Sequence, residues 1–389
     1  YERARCLVGS EMCIRDRHYR MPENQNNPFQ GKRSALVHDW LNGMRGGEKC
    51  LEVLCEIFPD ATLFTLIHEQ GRLSEKIEKM KISTSFIQKL PLGVSHYRHY
   101  LPIMPKAIES FDLSDFDLIV STSHCVAKGV IPGPDAFHIS YVHAPMRYVW
   151  DAFDTYFRRA QTRFWIRWAA LMTRPYLQRW DRMSSSRVHQ FLCNSVNIQK
   201  KIKQYYGRES KVIHPPVDLE RFTPGEMKKD FYLMIGAFAP NKRVDLAIRV
   251  FNRLKLPLNI VGKGQDEAFC RSIAGESISF LGECDDEQLL ELYQQARAFV
   301  FPGEDDFGIT PLEAQACGTP VIAYAAGGAL ETVTETTGIF FEEQTEEALR
   351  HAVEEMEQRH LDFKPENFKK NTSQFSRERY KNEMFNTIN

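Results

Sequence analysis

Two successive series of short apolar runs, each run followed by a helical pattern, constrain this chain more than any other feature. In the front half the strand-like runs are Ala35–Val37, Leu63–Leu66, Leu118–Ser121, Ile139–Val142, Phe191–Cys193 and Val212–Ile213. In the back half they are Tyr232–Ile235, Asn259–Val261, Ser279–Leu281, Ala298–Phe301, Val321–Ala323 and Ile339–Phe341. The runs are rich in Val, Ile and Phe without strict polar alternation, which is what strands buried on both faces require. Helical patterns such as Val244–Leu254 and Asp286–Ala296 fill the gaps. The expected class is therefore α/β, with two doubly wound parallel-sheet domains of similar size.

The junction falls at His214-Pro215-Pro216-Val217-Asp218. Paired prolines cannot continue a helix and force an extended connection, so a hinge is expected near 215–230. The expected organisation is a disordered or non-native leader over 1–31 with Met21 as the start, one domain over 32–214, a second over 215–364, and a helical segment over 365–389. Doubly wound sheets bind ligands outside the carboxyl ends of their strands, which places the site in the cleft between the domains.

The formal net charge of -1 argues against a polybasic nucleic-acid binder. It hides a division: residues 32–214 carry 26 basic and 17 acidic side chains, residues 215–389 carry 19 and 30. The front half is thus suited to something anionic, a membrane surface or a phosphorylated ligand. No apolar run approaches the ~18–20 residues that a bilayer-spanning helix needs. The nine scattered cysteines, without a C-x-x-C spacing, read as reduced thiols of a cytosolic protein. The histidines show no metal-ligand spacing, so no metal site is expected.

Residues 150–187 interleave eight arginines with Trp, Phe and Tyr. Two readings fit: an interfacial amphipathic helix facing anionic lipid, or a helix pair that buries its aromatics while the arginines reach outward. Pro175 is expected to break the stretch into two helices.

Two glycine-bearing turns follow strands. After Ala35–Val37 comes a segment ending in Gly46-Gly47-Glu48-Lys49, then an amphipathic helix. Gly46 and Gly47 at a helix start allow close backbone approach and present N–H groups to an anion, or serve only a tight turn. After Ala298–Phe301 comes PGEDDFGITPLE, leading into the helix Ile309–Ala316. Gly308 and Ile309 would offer N–H donors there, and Asp305 and Glu313 could face one ligand. Gly327-Gly328 supply a further glycine turn.

The pattern Asp305-x7-Glu313, continued as LEAQACGTPVIAYAAGG, closely resembles the E-x7-E region of retaining glycosyltransferases of family 4. GAFAPNKRVDLAI (236–248) is similar to that family's first donor-domain loop, VIHPPVD to its inter-domain hinge, and Gly46-Gly47-Glu48-Lys49 to its amino-terminal glycine loop. YVHAPMRYVWD looks like the mannosyltransferase branch that builds bacterial polysaccharides and glycolipids. The resemblance implies a GT-B fold, with a carboxy-terminal helix crossing back to the first domain. It implies metal-independent transfer of a sugar, with retention, from a nucleoside diphosphate donor, GDP-mannose favoured, to a lipid-linked or polysaccharide acceptor at the cytoplasmic membrane face. Lys242 would pair with the diphosphate, Glu313 would hold the ribose hydroxyls, and Asp305 would lie beside the sugar. His143 matches the family's active-site histidine, and Arg147 would bind the acceptor or a phosphate, or else pair with Asp151.

Two positions depart from the family. Ala237 stands where the donor loop usually has Arg, with Arg243 nearby as a replacement cation. Asp305 is one methylene shorter than the usual glutamate, so either Asp305 or the adjacent Glu304 supplies that acid. A UDP-sugar donor, or a nucleotide-sugar-binding protein whose catalysis has decayed, are the competing readings.

Overall fold

The computed structural model describes residues 31–151, 153 and 164–388. The expected leader lies, apart from Gly31, outside the described residues, as do Arg158, Arg159 and Arg163.

The amino-terminal sheet contains β1 (Ser34–His38), β2 (Thr62–Thr65), β3 (Lys81–Thr84), β4 (Leu118–Ser123), β5 (Phe137–Val142), β6 (Gln190–Cys193) and β7 (Ser210–Val212), in the order β3-β2-β1-β4-β5-β6-β7. The second contains β8 (Tyr232–Ile235), β9 (Leu258–Val261), β10 (Ile278–Gly282), β11 (Ala298–Phe301), β12 (Val321–Tyr324) and β13 (Gly338–Phe341), in the order β10-β9-β8-β11-β12-β13. Every pairing within both sheets is parallel. This is the GT-B architecture.

Burial explains the strand composition. On β1, Ala35 and Val37 enter one hydrophobic cluster and Leu36 enters the cluster on the opposite face. On β8, Tyr232 and Met234 face one core and Leu233 the other. A strand with a core on each side has no polar face, so its residues read as a continuous apolar run. β3, with the sequence KIST and no fully buried residue, sits at the sheet edge, and the search for apolar runs does not find it.

The chain crosses between domains twice. Ile213 belongs to the amino-terminal core and Val217 to the carboxy-terminal one, so the first crossing spans the Pro215-Pro216 pair. The return crossing runs alongside: Val217 N–H donates to the Phe375 carbonyl at 2.8 Å, and Val217 bridges Ser376 in parallel. The helical segment after Lys364 divides there. Pro365–Thr372 packs on the second domain, where Asn371 donates to the Gln315 side chain at 2.7 Å. Arg377–Ile388 returns to the first domain and buries Tyr380, Met384 and Ile388 in its core. At about 1.5–3 kcal/mol for each large buried side chain, this anchor is a firm one.

Pro175 does not divide the arginine-rich segment: a single helix runs from Phe164 to Ser184 with the proline inside it. Tertiary anchors outweigh the hydrogen bond that proline removes. Arg174 and Gln178 donate to the Val149 carbonyl at 2.9 and 2.7 Å, Trp180 donates to Glu109 at 2.7 Å, and the buried Asp181 meets the buried Lys128 at 2.8 Å. On the opposite side Trp168, Leu171, Met172, Tyr176 and Met183 stand exposed. Seven cysteines are described; all are free thiols, and all but Cys284 are buried.

Candidate active site

The sheet orders reverse at β1/β4 and at β8/β11, and the carboxyl ends of those strands face one cleft of about 450 Å3. Its amino-terminal wall includes Gly46, Gly47, His143 and Arg147; its opposite wall includes Asp305, Gly308 and Ile309. The structure therefore brings together sequence-predicted residues from both domains.

The helix α1 (Gly46–Ile57) directs its first turn at the cleft. A Cβ on Gly47 would meet His143 Nε2 and the His38 ring at 3.6 Å, an ordinary van der Waals distance, so the start of this helix packs directly against the histidine. His143 leaves the end of β5, where its N–H donates to the Ser123 carbonyl at 2.8 Å and its carbonyl accepts from the Asn194 amide at 2.9 Å. Its Nε2 is buried and has no hydrogen-bond partner among the described residues. Burial, reinforced by the neighbouring His124 and His38, pushes its pKa down to about 3, so the ring is neutral at physiological pH.

Behind this wall lies a polar arrangement that sequence reasoning missed. Asp39, fully buried, accepts four backbone N–H groups: His124 and Cys125 on Oδ2 at 2.7 and 2.9 Å, Val126 and Ala127 on Oδ1 at 2.6 and 2.8 Å. That carboxylate fixes the turn after β4 and so places His124 on the cleft. His38 joins Thr122 at 2.6 Å and faces Glu48 at 3.6 Å. Burial raises the Glu48 carboxyl, but its interaction with the facing His38 outweighs it and holds the pKa down at about 2. One signal was available for His124: like His143, it directly follows a strand at its carboxyl end.

On the other wall the helix α2 (Ile309–Ala316) starts at Gly308, whose φ of +85° is a left-handed conformation that favours glycine. Gly328 braces the preceding loop: its N–H donates to the Asp305 carbonyl at 2.8 Å, and a Cβ there would lie 2.2 Å from Phe307 Cα. Asp305 lines the cleft, while Glu304 is exposed and does not. Asp305 forms an ion pair with Lys242. Burial would raise the Asp305 carboxyl, yet Lys242 and Arg147 hold it below its ordinary value.

Three sequence-predicted residues have partners that their spacing does not report. Arg147 pairs with Asp306, its Nε at 2.7 Å from Oδ2, rather than with Asp151; Lys201 bridges Asp151 and Asp306 at 2.6 and 3.0 Å. Domain closure brings Asp306 to Arg147 from 159 positions away, and a sequence-local partner loses to it. Arg243 does not line the cleft: its guanidinium lies against Gln344 at 3.3 Å and Asp245 at 3.5 Å. Glu313 stands behind the cleft lining, with Lys49 Nζ at 2.9 Å from Oε1 and the Tyr293 hydroxyl at 2.9 Å from Oε2.

Around one cleft the arrangement offers N–H donors at a helix start, a neutral imidazole and an aspartate that carries Lys242 as its partner, a set suited to stabilising an anionic leaving group. Residues 217–375 match the family Glycosyl transferases group 1. That stretch holds Lys242, Asp305, Gly308, Ile309 and Glu313. Among curated proteins, the chain is similar to the GDP-mannose-dependent monoacylated alpha-(1-6)-phosphatidylinositol monomannoside mannosyltransferase of Corynebacterium glutamicum, 31% identical over 37% of this chain and 46% of the relative. It is also similar to the D-inositol 3-phosphate glycosyltransferase of Mycobacteroides abscessus, 36% identical over 30% of this chain and 32% of the relative. The matched stretch thus spans less than half the length of either relative. Among solved structures, sucrose-phosphate synthase from Thermosynechococcus elongatus superposes with a TM-score of 0.69 at 17% identity, covering 92% of this chain and 98% of that one. HepE of Anabaena in complex with UDP and glucose gives 0.66 at 15%, covering 92% and 99%. At these identities the likeness is one of fold.

Proposed function

We propose that this protein is a glycosyltransferase that moves a sugar, mannose from GDP-mannose by preference, to a lipid-linked or polysaccharide acceptor, with retention of configuration and without a metal. The observation that carries the reading is the convergence of Gly47 and His143 from one domain with Asp305, Gly308 and Ile309 from the other on a single cleft, the second group inside the stretch that matches the family. The name of the Corynebacterium relative supports GDP-mannose as donor. Retention and metal independence follow from the resemblance of Asp305-x7-Glu313 to the family-4 motif.

As the glycosidic bond to the diphosphate breaks, negative charge grows on the leaving oxygens. The Gly308 and Ile309 N–H groups, at the positive end of α2, stabilise it, and Lys242 swings from Asp305 to the phosphates to add a positive charge. Asp305, released from Lys242, faces the sugar hydroxyls. His143, neutral, offers its buried Nε2 as a hydrogen-bond partner to the transferring sugar. Glu313 holds the ribose.

We place the protein peripherally at the cytoplasmic membrane face, where lipid-linked acceptors reside. In support, the helix Phe164–Ser184 exposes Trp168, Met172, Tyr176 and Met183 at spacings of four, four and seven residues with arginines beside them, the pattern of an interfacial helix. No helix among the described residues is long and apolar enough to cross a membrane.

The test is a panel of radiolabelled nucleotide sugars given to the purified full chain with membrane lipid extract as acceptor, with and without EDTA. Transfer from GDP-mannose, insensitive to chelation, is expected. Preference for UDP-glucose would move the donor to the uridine class. Nucleotide binding without transfer or donor hydrolysis would leave a binding protein.

A further inference from the structure

Both acids of the Asp305-x7-Glu313 pair carry a lysine, and the two lysines come from different domains. Lys242 reaches Asp305 from within the carboxy-terminal domain. Lys49, in the first turn of α1, crosses from the amino-terminal domain to Glu313, 264 positions away. With the Tyr293 hydroxyl on the other oxygen, each carboxylate oxygen of Glu313 already has a donor. The Lys49 ammonium also lies 5.6 Å from the centre of the Phe222 ring, which packs edge-on against Tyr293. The Glu313 side chain is only 9% exposed and that of Lys49 29%, so water screens this pair less than a surface one.

A ribose diol that docks on Glu313 brings two hydroxyl donors; the carboxylate has lone pairs to spare, but with Lys49 and Tyr293 in place only 9% of the side chain is open, so the diol must displace the lysine to reach it. The turn that carries Lys49 also presents Gly46 and Gly47 to the cleft, so one helix end governs both the ribose seat and the glycine wall. We propose that the Lys49–Glu313 bridge is an interlock: in the empty protein it holds the domains together by filling the ribose seat, and the ribose hydroxyls of an incoming nucleotide compete with it for Glu313. The proposal rests on the reading of Glu313 as the ribose ligand. It makes Lys49 a brake on nucleotide entry, not a nucleotide ligand.

The experiment is calorimetric titration of the full chain with GDP and with UDP, for wild type, Lys49→Met, Lys49→Gln and Glu313→Gln, each checked for an unchanged circular dichroism melt. Without its competitor, nucleotide should bind about three- to tenfold more tightly to both Lys49 variants. The difference from wild type should narrow as salt rises, because salt weakens the bridge in wild type alone. Small-angle scattering of the empty Lys49→Met protein should show a more open molecule than wild type. Equal or weaker nucleotide binding in both Lys49 variants, with Glu313→Gln still losing affinity, overturns the interlock and leaves the ribose assignment standing. Unimpaired binding by Glu313→Gln, or no nucleotide binding by wild type, overturns the ribose assignment and the interlock with it.

Discussion

Replacing Asp39 by Asn should destabilise the amino-terminal domain by about 2–6 kcal/mol, although the two side chains have nearly the same shape. The carboxylate accepts two backbone N–H groups on each oxygen, all four bonds between 2.6 and 2.9 Å, in a fully buried position. Asparagine offers one oxygen. Its amide nitrogen must then face the two N–H donors on the other side, His124 and Cys125 or Val126 and Ala127, depending on how the amide is turned. Two buried donors lose their acceptor, and at about 1–3 kcal/mol each the stated range follows. Trp40 packs edge-on against His124 at 4.3 Å between ring centres, so tryptophan fluorescence during urea unfolding reads the affected region directly. The same substitution should lower sugar transfer, because the 124–127 turn sets the wall around His124. A change below about 1 kcal/mol would refute the role given to Asp39, since an exposed loop contact would account for so small an effect.

Three further outcomes follow from the same structure. Glu48, held at about 2 against an ordinary 4.5, stabilises the folded state fully above pH 4.5 and loses that contribution as pH falls toward 2; the stability gap between wild type and Glu48→Gln should therefore shrink over that window in urea titrations. His143, with a pKa near 3, is neutral from pH 5 to 8, so His143→Gln should reduce transfer tenfold or more, on the scale of a lost transition-state hydrogen bond, without changing the shape of the pH–rate profile in that range; a missing limb near pH 6.5 would contradict this. Replacing Trp168, Met172, Tyr176 and Met183 by Ser should release the protein from anionic liposomes in a flotation assay, and unchanged flotation would reject the membrane face.

How far the sequence reaches depends on how local each feature is. β8 and β11 are legible to the residue because each is an apolar run with a core on both faces. The same logic fails for β3, an edge strand whose lysine is exposed. Gly308 is legible as a glycine at a helix start after a strand, but its left-handed conformation belongs to this loop, since Ser195, at the helix start after β6, is extended. The amides held by Asp39, Asp306 beside Arg147 and Lys49 beside Glu313 lie between 85 and 264 positions away, and no spacing rule reports such contacts. Arg243 illustrates the reverse error: a cation in the right loop whose side chain turns to Gln344 instead. Pro175 shows tertiary anchoring overriding a local breaker.

In the proposed function, Asp305, Glu313 and Lys242 carry sugar transfer. This assignment is tested most directly by comparing the initial transfer rate from the preferred nucleotide sugar in wild type, Lys242→Ala and Glu313→Ala, with folding verified for each. Either substitution should remove most of the activity, on the order of a hundredfold or more for the loss of a charged contact to the donor. Near-wild-type rates in both variants would contradict the assignment.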